Sequence, residues 1–189
     1  MHQRLDPAKV GPAAYKALAA LQAHVDSSGL DRRLLELVKI RVSQINGCAF
    51  CLAMPTRVAR KLGETEDRMH LLDAWRESPG YSERERAALA WTEAVTLIRE
   101  GRVPDDVYDL ARRHFSEKEL VDLTCAVVAI NGWNRIAIPF RLVPQVARAF
   151  SGDYGTTVTR YQPSKDARVT ARGQNVSLRR LSKWAIQSP

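Results

Sequence analysis

The sequence has few cysteines, few histidines and no long apolar run. Its three cysteines cannot form a disulfide framework, and one C-x-x-C pair with four scattered histidines supplies too few paired ligands for a structural zinc site. No stretch approaches the ~20 apolar residues of a membrane span, and the first ten residues lack the apolar stretch of a secretory signal. We therefore expect a cytoplasmic protein that binds no cofactor or metal and does not enter a membrane.

Positive charge is concentrated late in the chain. The net charge is +8, but residues 151–189 hold seven Lys or Arg against two Asp, which leaves only +3 for residues 1–150. The same segment is rich in Gly, Ser and Thr, which favours an irregular extension. We place a helical domain at residues 1–150 and a basic C-terminal extension at 151–189. Tyr161 and Trp184 could stack on bases, yet a solvated or subunit-wrapping arm is the simpler explanation, so we do not expect nucleic-acid binding.

Residues 1–150 show the apolar spacing of helices and no convincing alternation of strands. Several of the apolar runs follow residues that cap helices, namely Asp6 before Pro7, Asp31, Ser82 with Glu85, and Ser116 with Glu119. This pattern predicts an all-α bundle of about seven helices.

Two of the expectations concern how far a single helix runs. The first helix is expected to run without a break from the Asp6 cap to about His24. The helix capped by Ser116 is expected to end at Asn131-Gly132, before a last amphipathic piece that its two prolines break. The pattern ELV…ING occurs at residues 36–47 and again at 119–132, but the spacings differ by two residues and we interpret it as chance or a very old duplication.

The chain is organised around residues 36–63, which hold Cys48 and Cys51 directly after an Asn-Gly break. The cysteines are three positions apart at the start of an apolar-periodic run, so both thiols are expected on one face at a helix N-terminus. Unsatisfied backbone N–H groups and the helix dipole favour a thiolate there. Pro55 lies four residues after Cys51 and would clash with its carbonyl, which predicts a kink or a loosened turn.

Glu36 lies twelve and fifteen residues before the two cysteines, with the letters INGCAFC around the pair. Together with the later stretches SERERAALAWTEAVT and HFSEKELVDLTCAVVAINGWNR, this motif resembles the alkylhydroperoxidase AhpD-like proteins of the carboxymuconolactone decarboxylase family. The resemblance covers about residues 10–145. It implies an all-helical oligomer in which Cys51 attacks a peroxide and becomes a sulfenic acid. It further implies that Cys48 is the proton donor and resolving thiol, and that Glu36 belongs to a proton relay through water.

The chain departs from that family beside the cysteines. The family pattern has a histidine four residues after the second cysteine, where this chain has Pro55, and Phe50 stands where some members carry another histidine. Because histidine is well suited to move protons near neutral pH, and a lost general base forfeits about 10²–10⁴ in rate, we expect weakened peroxidase activity. His70 and His114 are candidates to replace it, although a place on a helix surface is the simpler expectation for both.

The sequence therefore predicts a thiol oxidoreductase that reduces hydroperoxides or exchanges disulfides with a partner protein. An external dithiol or a protein reductant would reduce its disulfide back to two thiols. We also expect a homo-oligomer. Two alternatives stay open: a cofactor-free decarboxylase of a lactone acid, which needs no thiol, and a non-catalytic helical scaffold. The site residues also have simpler interpretations, since the cysteines could be buried and inert, and Glu36 could form an ordinary surface ion pair with Arg32 and Lys39.

Overall fold

The computed structural model of the chain describes residues 2–144, and all regular structure in that range is helical. Within it there are nine α-helices and one 3-10 turn, Leu71–Ala74. The helices are α1 (Pro7–Val10), α2 (Pro12–Asp26), α3 (Arg32–Ile45), α4 (Ala49–Lys61), α5 (Glu66–His70), α6 (Glu83–Thr96), α7 (Ile98–Gly101), α8 (Asp105–His114) and α9 (Glu117–Phe140). This confirms the predicted all-α bundle. The predicted extension, residues 151–189, lies outside the described residues, so the domain boundary stays a prediction.

Four of the helices begin at the caps predicted from the sequence. The Asp6 and Asp31 carboxylates accept backbone N–H groups two and three residues ahead, at 3.1 and 2.9 Å. Ser82 and Ser116 each form a full capping box with the glutamate three residues later. Because a helix start leaves four N–H groups without helical partners, these side chains determine where α1, α3, α6 and α9 begin.

The prediction of one continuous first helix is wrong, because the structure divides it at Gly11. α1 ends at Val10, Gly11 has non-helical backbone angles (φ −127°, ψ 58°), and Pro12 starts α2. Proline has no N–H to donate, and its ring clashes with the carbonyl four residues back. Pro12 therefore fits the first position of a new helix better than the interior of an old one.

The predicted helix end at Asn131-Gly132 is also wrong, because α9 runs through it to Phe140. Gly132 lies where α9 meets α2, and a Cβ atom on it would lie 3.0 Å from Leu18 Cδ1. The glycine therefore permits two helices to approach closely and does not end one. α9 is the longest helix, yet no helix in residues 2–144 is both long enough and apolar enough to cross a bilayer.

α3 is the central helix of the bundle and packs against α4, α6 and α9. Its apolar residues cover more than one face, and the side chains that are at most 2% exposed include Leu35, Leu37, Val38 and Val42. Gly47, with a φ of +66°, turns the chain after α3 so that α4 packs against it. Since α9 contacts both of these helices, the first turn of α4 lies in the interior of the bundle.

Pro55 lies inside α4 and does not end it. The proline removes the N–H that would bond to the Cys51 carbonyl. On the next two residues, the side chains of Thr56 and Arg57 donate to the carbonyl oxygens four residues back, at 2.7 and 3.0 Å. Pro55 therefore removes one helical hydrogen bond, the one to the carbonyl of Cys51, and α4 continues past it to Lys61.

Candidate active site

The first turn of α4 places the two predicted cysteines next to each other. Cys48 is the N-cap, and its Sγ accepts the backbone N–H of Cys51 at 3.3 Å. The backbone N–H of Cys48 donates to the Ser43 carbonyl of α3 at 2.9 Å. The cap sulfur thus takes the place of the usual serine or aspartate oxygen, where the helix favours negative charge. No disulfide joins the two cysteines in this structure.

Cys51 lines a cavity of about 360 Å³ that is bounded mainly by α2, α3, α4 and α9. Glu36 of α3 and Pro55 of α4 line the same cavity. Cys48 is not part of its lining and is only 1% exposed, against 6% for Cys51. The structure therefore brings Cys51 and Glu36 to one accessible space, with Cys48 in contact with Cys51 and away from that space.

Glu36 is a buried carboxyl group with one strong partner. Its Oε1 accepts a hydrogen bond from Lys39 Nζ at 2.9 Å, and the same ammonium group contacts Asp26 at 3.3 Å. Burial raises the pKa of Glu36 above its usual range, and the charge and hydrogen bond of Lys39 only partly offset this. An ordinary surface ion pair therefore does not describe Glu36, which is 7% exposed.

The hydrogen bonds at the start of α4 give the two thiols different acidities. A hydrogen bond from the Cys51 thiol, together with the backbone N–H groups of Cys51 and Phe50, lowers the pKa of Cys48 to about 7, although burial opposes this. The same shared hydrogen bond, together with burial, raises the pKa of Cys51. The geometry therefore favours the thiolate on Cys48, because its sulfur accepts the backbone N–H of Cys51, over the thiol that lines the cavity.

Asn134 is a fully buried side chain of α9 that contacts both thiols, and sequence reasoning missed it. Its hydrogen bonds favour the thiolate on either sulfur and so lower the pKa of both cysteines. The amide nitrogen also donates to Ser43 Oγ at 3.3 Å, and the amide oxygen accepts from Asn46 Nδ2 at 2.8 Å. These two bonds fix the direction of the amide, so that its donor side is available to the sulfurs.

The ELV…ING repeat is a signal for the contact between α3 and α9 in which Asn134 takes part, although Asn134 itself lies two residues beyond the repeat. Asn46, from the first copy, donates to the Asn131 side chain of the second copy at 2.9 Å and also to Asn134. The repeat therefore marks two asparagines that connect the end of α3 to α9 beside the cysteines.

The other candidate residues lie away from the cavity. His70 is on α5 with 75% of its side chain exposed, and His114 ends α8. Cys125 is half-buried on α9 and packs against the core. No histidine in the described part of the chain lines the cavity, so residues 2–144 offer no imidazole in place of the one that Pro55 replaces.

We predict that the reduced protein carries a thiolate that titrates near pH 7. The pKa of Cys48 is about 7 instead of 9.0, so thiolate absorbance at about 240 nm should rise by one thiolate between roughly pH 6 and 8. Between about pH 7 and 9 the unfolded chain binds more protons at Cys48 than the folded chain does. The free energy of unfolding should therefore increase with pH in that window.

Two serine variants assign this titration to one residue. Cys48→Ser should abolish the step, and serine keeps the ability to cap α4. Cys125→Ser should leave the step in place. A first thiolate that forms only near pH 9 would contradict the acidity assigned to Cys48.

The all-helical bundle, with a C-x-x-C pair at the start of one helix and a buried glutamate on the helix before it, is that of an AhpD-like protein. The chain belongs to the carboxymuconolactone decarboxylase family, whose sequence model matches residues 12–94. It is similar to YdfG, an uncharacterized protein of Bacillus subtilis, with 46% identity over 138 residues that span 73% of this chain and 94% of that protein.

Solved structures agree with this family. A protein of unknown function from Agrobacterium tumefaciens, described as a candidate AhpD antioxidant defence protein, is 48% identical, with a TM-score of 0.75 over 77% of this chain and 100% of that one. The debrominase Bmp8 is 19% identical, with a TM-score of 0.66 over 73% of this chain and 74% of its own, which shows a shared fold alone. Family and fold together point to peroxidase-like chemistry or to the decarboxylase chemistry of the family name.

Proposed function

We propose that this protein is a cofactor-free thiol peroxidase that reduces organic hydroperoxides with Cys51 and Cys48. The observation that carries the proposal is the shared cavity, which Cys51 and the buried carboxyl of Glu36 both line. Cys48 lies one helical turn from Cys51 and in hydrogen-bond contact with it. A nucleophilic thiol and a proton donor thus line one space, and a resolving thiol lies directly behind the nucleophile.

The proposed cycle starts with a proton exchange inside the pair. Cys51 passes its proton to the Cys48 thiolate, and the Cys51 thiolate then attacks the terminal oxygen of the hydroperoxide. The O–O bond breaks, the sulfur is oxidised to a sulfenic acid, and the alkoxide leaves as an alcohol with a proton from Glu36. Cys48 then attacks the Cys51 sulfur, so that a disulfide forms and water leaves. A small external dithiol that enters the cavity restores both thiols.

Burial of the sulfurs supports a small substrate over the disulfide of a partner protein. Neither cysteine is more than 6% exposed, so neither presents its sulfur on a surface where another protein could dock. A small molecule can instead reach Cys51 through the cavity. Because that cavity has no histidine within residues 2–144, the proposed turnover is slow.

A homo-oligomer is part of the same proposal. Val121 and Val128 lie two turns apart on α9 and are 62% and 50% exposed. Large apolar side chains on one exposed helix face support association with another copy of the chain.

The test is a single-turnover oxidation of the reduced protein. One equivalent of cumene hydroperoxide, without added reductant, should consume two of the three thiols, lower the mass by about 2 Da and yield one equivalent of alcohol. Mass spectrometry should find the Cys48–Cys51 disulfide within the tryptic peptide of residues 42–57. Cys125 should stay reduced. Unchanged thiols, or oxidation confined to Cys125, would defeat the proposed function.

A further inference from the structure

Among the charged side chains that line the cavity, Lys39 pairs with two acids, whereas Arg32 has no partner within residues 2–144. Lys39 contacts Glu36 at 2.9 Å and Asp26 at 3.3 Å, and Asp26 also accepts from Gln22 at 2.9 Å. These groups therefore satisfy one another. Arg32 lines the same cavity and is exposed, and within residues 2–144 its side chain forms no hydrogen bond or salt bridge.

The position of Arg32 on α3 directs it toward the same space as Glu36. Arg32, Glu36 and Lys39 follow each other at intervals of four and three residues, so they share one face of the helix. Arg32 is also the first residue of α3, where the helix dipole disfavours a positive charge. A bound anion would remove this penalty and would give the guanidinium the partner that the described chain does not provide.

Most of the remaining wall is apolar. The side chains that form it include Tyr15, Leu35, Phe50, Val58, Ile130 and Trp133. A volume of about 360 Å³ is within the range of small-molecule sites. The cavity therefore fits a ligand with an apolar body and one negatively charged end.

We propose that the cavity selects amphipathic hydroperoxides that carry a carboxylate, which pairs with Arg32 while the apolar body lies along the wall and the peroxide reaches Cys51. This inference rests on the proposed peroxidase function, because it names the substrate class of the same site. Arg is suited to the task, since its planar guanidinium can hold both oxygens of a carboxylate. A bound carboxylate would also raise the pKa of Glu36 further, because a second negative charge nearby disfavours its ionised form.

The first experiment measures binding without turnover. Isothermal titration calorimetry of the reduced protein should show tighter binding of decanoate than of methyl decanoate. Arg32→Gln should weaken decanoate binding about tenfold, which is the size expected for one lost charge-assisted contact. Arg33→Gln removes a neighbouring exposed arginine that does not line this cavity, and it should leave decanoate binding unchanged.

The second experiment measures selectivity during turnover. The ratio of kcat/KM for linoleic acid hydroperoxide to kcat/KM for its methyl ester should fall about tenfold in Arg32→Gln and should be retained in Arg33→Gln. An equal loss for acid and ester, or no preference for the acid in the parent, would overturn the substrate class and leave the peroxidase function intact. If the parent protein reduced neither the acid, nor the ester, nor cumene hydroperoxide, the peroxidase function would be overturned. The calorimetry would then show separately whether Arg32 binds a carboxylate.

Discussion

Replacement of Cys51 by serine is expected to lower kcat/KM for cumene hydroperoxide by about 10³-fold or more. Cys51 is the thiol that lines the cavity, and a serine hydroxyl at the same place is neither acidic nor nucleophilic enough to open an O–O bond. The measurement is steady-state turnover with an excess of a small dithiol. Circular dichroism of the variant should show an unchanged helix content, because the substitution keeps the size of a small buried side chain.

Cys48→Ser and Cys125→Ser are the matched controls for this prediction. Cys48→Ser keeps the cap of α4 but removes both the resolving thiol and the proton acceptor of the cycle, so the sulfenic acid on Cys51 should form more slowly, persist and react with dimedone. Cys125→Ser should retain parental turnover, because Cys125 does not line the cavity. If the Cys51 variant kept more than about a tenth of the activity, the attacking group would have to be a different one.

The helix starts were predictable because the interactions that determine them are local. Ser82 and Ser116 bond within three residues of themselves, so both partners of each capping box are visible in the sequence. The role of Gly132 was not predictable in this way, since it depends on contact with Leu18 of another helix. Glycine in a sequence permits both a helix end and a close helix contact, and only the packing decides between them.

The site shows the same division between local and distant causes. The family motif selected Cys48, Cys51 and Glu36, and a thiolate at the start of a helix could be expected from backbone geometry alone. Which sulfur carries the charge depends on the hydrogen bond from the Cys51 thiol and on the backbone N–H of Cys51, both of which Cys48 accepts. The unpaired charge of Arg32 could not be predicted either, because it follows from how Lys39 and the acids around it pair in three dimensions.

Pro55→His is expected to raise kcat/KM for hydroperoxides by about 10- to 100-fold near pH 7. Pro55 is buried and lines the cavity that Cys51 and Glu36 also line, so an imidazole there would stand beside the thiol that must lose its proton. General acid–base catalysis by a positioned group contributes typically about 10²–10⁴, and in the proposed cycle Glu36 supplies a part of this. The pH profile should gain a limb near the ordinary pKa of histidine, about 6.5.

Pro55→Ala is the control that separates the imidazole from the backbone. Both variants restore the N–H that can bond to the Cys51 carbonyl, so any gain that they share comes from the repaired helix and any difference comes from the side chain. Equal activity of the two variants would show that an imidazole at position 55 does not accept the proton of Cys51. The proposed route of protons through the cavity would then be wrong. If Pro55→His were active and the parent inactive, the result would instead support the alternative of a non-catalytic helical scaffold. The parent fold would then hold every part of the site except the group that moves the proton.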